Sequence, residues 1–219
     1  MIVTIDGPAG SGKSTAARSL AERLGFAFLD TGAMYRAVAL QALTLAVDPA
    51  DAEGVARLAR DMEIEALGPI VRVDGRDVTA AIRTPEVTSA ASRVAAIPEV
   101  RAALVRLQRQ AAEGRDVVSE GRDQGTVVFP NAQCKFYLNA DANERARRRL
   151  LELQASGEQI AFEDLLRQIL ERDTRDKTRD TAPLRAADDA LRIDTSDLSP
   201  DETVRRMEVI VREKIGRPA

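Results

Sequence analysis

Short apolar runs recur along the chain between longer segments whose apolar residues are spaced three or four positions apart. The runs are MIVTID, FAFLD, DVVSEG, CKFYLNA and ALRID. Strands that alternate with helices form a parallel sheet covered on both faces, with ligands at the carboxyl ends of the strands. The pattern therefore predicts an α/β fold of this kind. Four acidic residues lie at or beside those strand ends: Asp6, Asp30, Glu120 and Asp194.

Two segments depart from this alternation. Residues 62–87 alternate in the manner of strands around Gly68-Pro69 and Asp74-Gly75, which predicts a small antiparallel meander inserted into the α/β core. Residues 154–183 predict a helix followed by an intensely charged tail. The apolar face of that helix consists of Phe162, Leu165, Leu166, Ile169 and Leu170.

The stretch GPAGSGKST, residues 7–15, directly follows the first predicted strand. Glycines allow backbone N–H groups to surround an anion, Lys13 supplies a positive charge for β/γ-phosphates, and Ser14 supplies a hydroxyl for Mg²⁺. The following segment predicts a helix that ends at Gly25, so its positive N-terminal end faces the same phosphate. A turn that merely joins a strand to a helix is the alternative, and the flanking elements and the Lys-Ser ending argue against it.

The amino-acid composition argues against several classes of function. The 219 residues carry a formal net charge of −3, so no global basic field favours nucleic acid and an anionic ligand needs a local arginine cluster. Histidine is absent, which removes the commonest general base and metal ligand. Cys134, the single cysteine, excludes an intramolecular disulfide, and its setting favours a small apolar strand residue over a reactive thiol. No apolar run approaches the roughly 20 residues that span a bilayer, so we expect a soluble cytoplasmic protein.

Two arginine-rich segments supply such clusters. ERDTRDKTRDTAPL contains Arg172, Arg175 and Arg179 among aspartates, and ERARRRLLEL places Arg145, Arg148 and Arg149 on one predicted helical face. Either segment alone is typical of a solvated helix face with mixed charges. Beside a phosphate-binding loop, they predict a mobile positive flap that closes over a transferring group and excludes water.

Two further clusters follow predicted strands. SEGRDQGTVVFP contains Glu120, Arg122 and Asp123, which are costly to bury unless paired, so they either form a structural Arg122–Asp123 ion pair or line a cleft. LDTGAMYRA ends a strand and begins a helix, with Thr31 predicted as the N-cap and Arg36 placed to hold an anion.

Taken together and in this order, these motifs resemble the bacterial-type cytidylate kinases, a branch of the P-loop nucleoside monophosphate kinases. The resemblance rests on TIDGPAGSGKST, LDTGAMYRAVA, IRTPEV, AASRVAAIPEVRAALVRLQR, EGRDQGTVVFP, ERARRR and ERDTRDKTRDTAPL. Gln124 stands where the family usually has an aliphatic residue, and Thr31 replaces a frequent serine. The resemblance implies a P-loop core at residues 1–61 and 88–219, a nucleoside-monophosphate-binding insert at 62–87, and a helical arginine-rich lid at 154–183.

The resemblance also implies a donor site and a metal. Lys13, Arg122, Arg172 and Arg179 are expected to be catalytic, and Mg²⁺ to be held by Ser14 directly and by Glu120 through water. The expected ATP-binding residues are Gly7, Pro8, Ala9, Gly10, Ser11, Gly12, Lys13, Ser14, Thr15, Arg145 and Arg149.

On the acceptor side, the resemblance places CMP or dCMP. The cytosine would be read by Ser92, Arg101 and Asp123, because a carboxylate accepts from the cytosine amino group and a guanidinium donates to ring acceptors. The expected substrate-binding residues are Thr31, Arg36, Ser92, Arg101, Arg122, Asp123, Arg172, Asp176 and Arg179.

The leading hypothesis is the reaction ATP + (d)CMP ⇌ ADP + (d)CDP, catalysed by a monomer that binds neither nucleic acid nor membrane. Two alternatives stay open: another small-molecule P-loop kinase, and a nucleotide-dependent switch that hydrolyses slowly and signals through a partner. The second arginine-lined site argues against the switch.

Overall fold

The computed structural model describes residues 1–155 and 157–216. Ser156 of the predicted lid and residues 217–219 of the predicted core lie outside the described residues. The strands are β1 Ile2–Asp6, β2 Ala27–Asp30, β3 Ile64–Glu65, β4 Arg72–Val73, β5 Arg76–Asp77, β6 Val117–Gly121, β7 Cys134–Asn139 and β8 Leu191–Asp194. The helices are α1 Lys13–Leu24, α2 Thr31–Thr44, α3 Ala52–Asp61, α4 Pro85–Val94, α5 Pro98–Ala112, α6 Ala142–Ala155, α7 Phe162–Thr178 and α8 Pro200–Ile215.

The five predicted strands form one sheet in the order β2-β6-β1-β7-β8. β1 runs parallel to β7 with Val3 opposite Cys134, and β7 runs parallel to β8 with Phe136 opposite Leu191. Successive side chains of a strand point to opposite faces, and every residue of β6 is buried, so both faces are covered there. The predicted parallel α/β fold is confirmed, and Cys134 is the buried strand residue that was expected.

By its internal contacts the chain divides into two compact units. The first consists of the residues up to Gly25 and those from Glu120 onward, and the second runs from Phe26 to Ser119. The predicted insert, residues 62–87, lies inside the second unit, and its separate identity as a domain stays a prediction.

In the first unit, α1 packs on α8, and α6 packs on α7. The α6/α7 contact is apolar and includes Ala146, Leu153, Leu165 and Ile169. The predicted charged tail is wrong in one respect, because α7 continues to Thr178 and most of the charged residues are helical.

In the second unit, α2 packs on α4, and α3 packs on α5. The predicted meander is present as a three-stranded sheet in which β4 pairs antiparallel with both β3 and β5. It is shorter than predicted, since a 3₁₀ helix at Ala81–Arg83 and the start of α4 at Pro85 replace strand structure at its end. Thr84 caps α4 by accepting a hydrogen bond from the N–H of Val87, which explains why the helix begins there. Within the described ranges, no helix is both long and apolar enough to cross a bilayer.

Candidate active site

The phosphate-binding loop connects β1 to α1 and packs closely against neighbouring segments at two of its glycines. A Cβ on Gly7 would lie 2.1 Å from the carbonyl oxygen of Leu138, and one on Gly10 would lie 3.0 Å from Cβ of Arg145. Gly12 precedes α1 with a φ of 79°, in the left-handed region that glycine favours. Gly10, Gly12, Ser14 and Thr15 are exposed, whereas Gly7, Pro8 and Ser11 are buried, so the loop is anchored at its base and open at its rim.

Lys13, Ser14 and Glu120 meet at the start of α1. The Ser14 hydroxyl donates to Oε1 of Glu120 at 2.8 Å, and Nζ of Lys13 lies 3.8 Å from Oε2 of the same carboxylate. Lys13 also donates to the carbonyl of Pro8 at 3.3 Å. Burial, helped by the nearby positive charge of Arg122, lowers the pKa of Lys13 to about 7, against the opposing effect of Glu120. A phosphate beside this ammonium group would favour its charged form.

Arg122 follows β6 and forms an ion pair with Asp176 of α7. Its Nε donates to Oδ2 of Asp176 at 2.9 Å, across 54 positions of sequence. Burial by itself would raise the pKa of Asp176, but the charges of Arg122 and Arg172 outweigh burial and hold that pKa below its usual range. The pair thus joins the strand-end segment to the arginine-rich helix.

Asp173 and Asp176 contradict the alternative that this part of α7 is only a solvated face. Both carboxylate residues are buried, and each pairs with an arginine from another element. Arg175 and Lys177 on the same helix are exposed. Arg172 is half-buried, and Arg179 caps the helix end while its Nε donates to the carbonyl of Ala182 at 2.7 Å.

The arginines of α6 differ in burial and in their hydrogen-bond partners. Arg145 is buried and donates to three acceptors: the carbonyls of Ala140 and Ala9 at 3.0 and 3.1 Å, and Asp173 at 2.7 Å. Arg149 instead pairs with Glu152 at 2.8 Å in a partly exposed contact. The structure therefore ties Arg145 to the phosphate loop and α7, and the predicted ATP contacts of Arg145 and Arg149 stay predictions.

In the second unit, Asp30 organises the start of α2. Its Oδ1 accepts from the N–H of Ala33 at 2.8 Å, and its Oδ2 accepts from Arg36 at 3.1 Å. The predicted N-cap is therefore wrong by one residue: Asp30 caps the helix, and Thr31 is its first, buried residue. Because a carboxylate has two acceptor oxygens, Asp30 performs both tasks. Nε of Arg36 is buried without a hydrogen-bond partner among the described residues, so it retains a donor for an anion.

Ser92 and Arg101 lie on α4 and α5 of the same unit. The Ser92 hydroxyl is buried and makes no hydrogen bond within the described ranges. Arg101 is 3 % exposed, donates to the carbonyl of Ala95 at 3.2 Å, and lies over the Tyr35 ring at 5.5 Å from the ring centre. Such stacking is favourable for a guanidinium and fixes its plane. A buried guanidinium and a buried hydroxyl are each suited to a polar ligand with ring acceptors and donors.

Sequence reasoning missed the supports of the phosphate loop. The Thr195 hydroxyl donates to the carbonyl of Ser11 at 3.2 Å, and Arg148 donates to the carbonyl of Thr195 at 2.6 Å. Asp6 accepts from the backbone of residues 124 and 125. Asp6, at a strand end, and Arg148, in an arginine-rich segment, had sequence signals of their own, but no signal indicated their partners, because all of these contacts join distant segments.

The sequence and the fold of this chain were compared with those of known proteins. The family model described as cytidylate kinase matches residues 3–213. A cytidylate kinase of Caldanaerobacter subterraneus subsp. tengcongensis is 47 % identical over 96 % of this chain and 94 % of its own length. A cytidylate kinase of Geobacter sulfurreducens is 47 % identical over 98 % of this chain and 94 % of its own length. A gluconokinase structure from Sinorhizobium meliloti aligns with a TM-score of 0.50 at 15 % identity, over 98 % of this chain and 93 % of that chain, which supports the fold alone.

Proposed function

The chain belongs to the cytidylate kinase family, and we propose that it transfers the γ-phosphoryl group of ATP to CMP and dCMP, giving ADP with CDP or dCDP. The observation that carries this proposal is the cluster of Lys13, Ser14 and Glu120 at the start of α1. It combines a cation for phosphates with two hard oxygen groups, beneath an open glycine-rich rim.

The donor triphosphate occupies the phosphate loop. The backbone amides of residues 7–15 and the ammonium group of Lys13 hold its β- and γ-phosphates. Arg122, Arg172 and Arg179 neutralise the charge of the transferring group. Because the attacking phosphate oxygen of CMP is already ionised at neutral pH, no general base is needed, which agrees with a chain that lacks histidine. Catalysis is then positioning and charge stabilisation.

The proposed metal is Mg²⁺. It prefers oxygen ligands, retains several waters and commonly binds through one or two protein oxygens and substrate phosphates. The Ser14 hydroxyl and the Glu120 carboxylate fit this demand, since they are hydrogen-bonded at 2.8 Å and Ser14 is exposed to solvent. Bound there, the metal would neutralise charge on the β- and γ-phosphates, with Ser14 as direct ligand and Glu120 acting through water.

The acceptor nucleotide is held by polar side chains, most of them arginines. Buried or half-buried arginines suit the CMP phosphate. Nε of Arg36 has no hydrogen-bond partner among the described residues, so it can donate to that phosphate. We assign phosphate and sugar contacts to Thr31, Arg36, Arg122, Arg172, Asp176 and Arg179. A contact between Asp176 and the nucleotide would be additional to its ion pair, because its Oδ2 already accepts a hydrogen bond from Arg122.

The cytosine is read by Ser92, Arg101 and Asp123. Asp123 is 3 % exposed, so its carboxylate has already lost most of its hydration. A hydrogen bond from the cytosine amino group would therefore form there with little further desolvation cost. Uracil would present O4 to the same carboxylate, and UMP should bind less well. Cytoplasmic location and a monomeric state remain predictions beside this proposal.

A coupled assay of ADP release tests the function. Purified protein with ATP and Mg²⁺ should release ADP rapidly with CMP or dCMP, slowly with UMP or AMP, and hardly at all without an acceptor. Equal rates with every monophosphate would favour another P-loop kinase. Slow release that ignores the acceptor would favour a nucleotide-dependent switch.

A further inference from the structure

Asp6, the last residue of β1, holds a distant backbone segment with both oxygens of its carboxylate. Oδ1 accepts from the N–H of Gln124 at 2.8 Å, and Oδ2 accepts from the N–H of Gly125 at 2.8 Å. Asp6 is 3 % exposed and Gln124 is 1 % exposed, so water competes little for these bonds. The two contacts fix consecutive amides of one short segment.

The same segment also packs closely against β1. A Cβ on Gly125 would lie 3.0 Å from Oγ1 of Thr4 and 3.4 Å from Oδ2 of Asp6. Gln124 begins a π-helical turn, Gln124–Val128, which starts directly after Asp123. Local helices of this type are uncommon and often lie at functional sites. The close approach and the paired hydrogen bonds leave the backbone at residues 124 and 125 little freedom.

We propose that Asp6 is a positioning residue for the acceptor nucleotide, acting through the segment that carries Arg122 and Asp123. This inference rests on the proposed function, since it assumes that those two residues bind CMP. A carboxylate that reads a base must be held closely, because a shift of about 1 Å in a positioned group can cost on the order of a hundredfold in rate. Arg122 has a second anchor in Asp176, so loss of the clamp should affect base reading more than phosphate binding.

The Asp6→Asn variant tests the clamp with almost no change in shape. An amide offers one acceptor oxygen, so its NH₂ group must face one of the two backbone N–H donors and leave that donor unpaired. Ile5→Val is the matched control. Ile5 is completely buried on the same strand, its side chain points to the opposite face, and removal of a methylene group also destabilises the fold without touching the clamp.

Three measurements compare wild type, Asp6→Asn and Ile5→Val as full chains. For Asp6→Asn we expect ADP affinity within about twofold of wild type, and a CMP KM raised about tenfold or more. The ratio of kcat/KM for CMP to that for UMP should fall. Hydrogen exchange at the amides of residues 124 and 125 should become at least about tenfold faster. Ile5→Val should keep the KM, the ratio and the exchange rates near wild type.

A double variant shows whether Asp6 acts through Asp123. Asp6→Asn added to Asp123→Asn should lower the CMP/UMP ratio little further, because both changes remove the same reading group. Multiplicative losses would overturn the route through Asp123.

Other results also count against the inference. An Asp6→Asn variant that melts earlier but keeps the CMP KM and the substrate ratio would make Asp6 purely structural. Loss of ADP binding to the same extent would assign Asp6 to the phosphate loop. If Asp6→Asn does not fold, Gly125→Ala applies the same test, since its methyl group would crowd Oγ1 of Thr4 at 3.0 Å and Cδ of Lys135 at 3.2 Å and so displace the same segment. A failure of the proposed function is seen separately, as wild-type protein without CMP-dependent ADP release.

Discussion

Removal of Arg145 should destabilise the fold severely, although its sequence context suggested a ligand-binding surface arginine. Arg145 is 4 % exposed and its partner Asp173 is 5 % exposed. The guanidinium donates to Asp173 and to two backbone carbonyls, one of them Ala9 in the phosphate loop. In Arg145→Met, Asp173 keeps its burial but loses this cation. Its other oxygen, Oδ1, already lacks a hydrogen-bond partner among the described residues.

The expected magnitude follows from the burial of the pair. Removing one partner of a buried ion pair costs about 3–5 kcal/mol, because a desolvated charge is left uncompensated. For a chain of this size, each kcal/mol lowers Tm by about 2–4 °C, so Arg145→Met should melt about 6–20 °C below wild type. The double variant Arg145→Met/Asp173→Leu should recover much of this loss, since it removes both charges.

Thermal unfolding followed by far-UV circular dichroism measures these shifts without nucleotide. Arg147→Ala is the matched control on the same helix, because Arg147 is 66 % exposed and faces Glu144 at 3.6 Å. An exposed pair of this kind contributes about 0–1 kcal/mol. If Arg145→Met melted within 2 °C of Arg147→Ala, a limit set by about 1 kcal/mol of measurable difference, the reasoning from burial would be refuted.

The remaining predictions address the site. Lys13→Ala should nearly abolish phosphoryl transfer while the protein still melts cooperatively, because its charge acts on the β/γ-phosphates; turnover within a few-fold of wild type would contradict that role. Asp123→Asn should lower the CMP/UMP ratio of kcat/KM about tenfold or more, and an equal loss on both substrates would move base reading elsewhere. Residues 172–179 should exchange amide hydrogens more slowly when an ATP analogue and CMP are both bound, since phosphates supply counter-charge to the arginines; unchanged exchange would argue against a closing lid. Burial raises the pKa of Asp6 from 3.8 to about 7, and the charge of Asp123 adds to this rise, whereas hydrogen bonds from the amides of residues 125 and 124 and the charge of Arg122 oppose it. The folded state therefore binds more protons than the unfolded chain between about pH 4 and 7, and the free energy of unfolding from urea titrations should fall with rising pH in that window for wild type, with a smaller fall in Asp6→Asn.

Local sequence was enough to predict the elements that carry the donor site. The apolar runs at β1, β2, β6, β7 and β8 match the strands, and the glycine spacing places the phosphate loop between β1 and α1. These features follow from a few neighbouring residues, whose alternation, turn chemistry and charge act over one or two turns of chain.

Boundaries near charged residues were predicted less well. Asp30 rather than Thr31 caps α2. Both residue types are good N-caps, so the sequence does not choose between them, and in the structure Thr31 is the first, buried residue of the helix. The charged end of α7 is helical, since Asp173 and Asp176 are paired there with arginines from other elements. Sequence spacing alone gave those aspartates only neighbours within their own helix.

Residue patterns along the chain were sufficient to predict the fold class, the phosphate loop and the types of residue available to bind phosphates. Tertiary structure alone decided which arginines are committed to the protein and which retain donors for a ligand. Arg145 is used by Asp173 and the loop carbonyl of Ala9, whereas Arg36 retains a donor without a partner among the described residues. The physical reason is that burial and pairing depend on segments far apart in sequence. Asp6 and Gln124, separated by 118 positions, contact each other only because the sheet brings their backbones together.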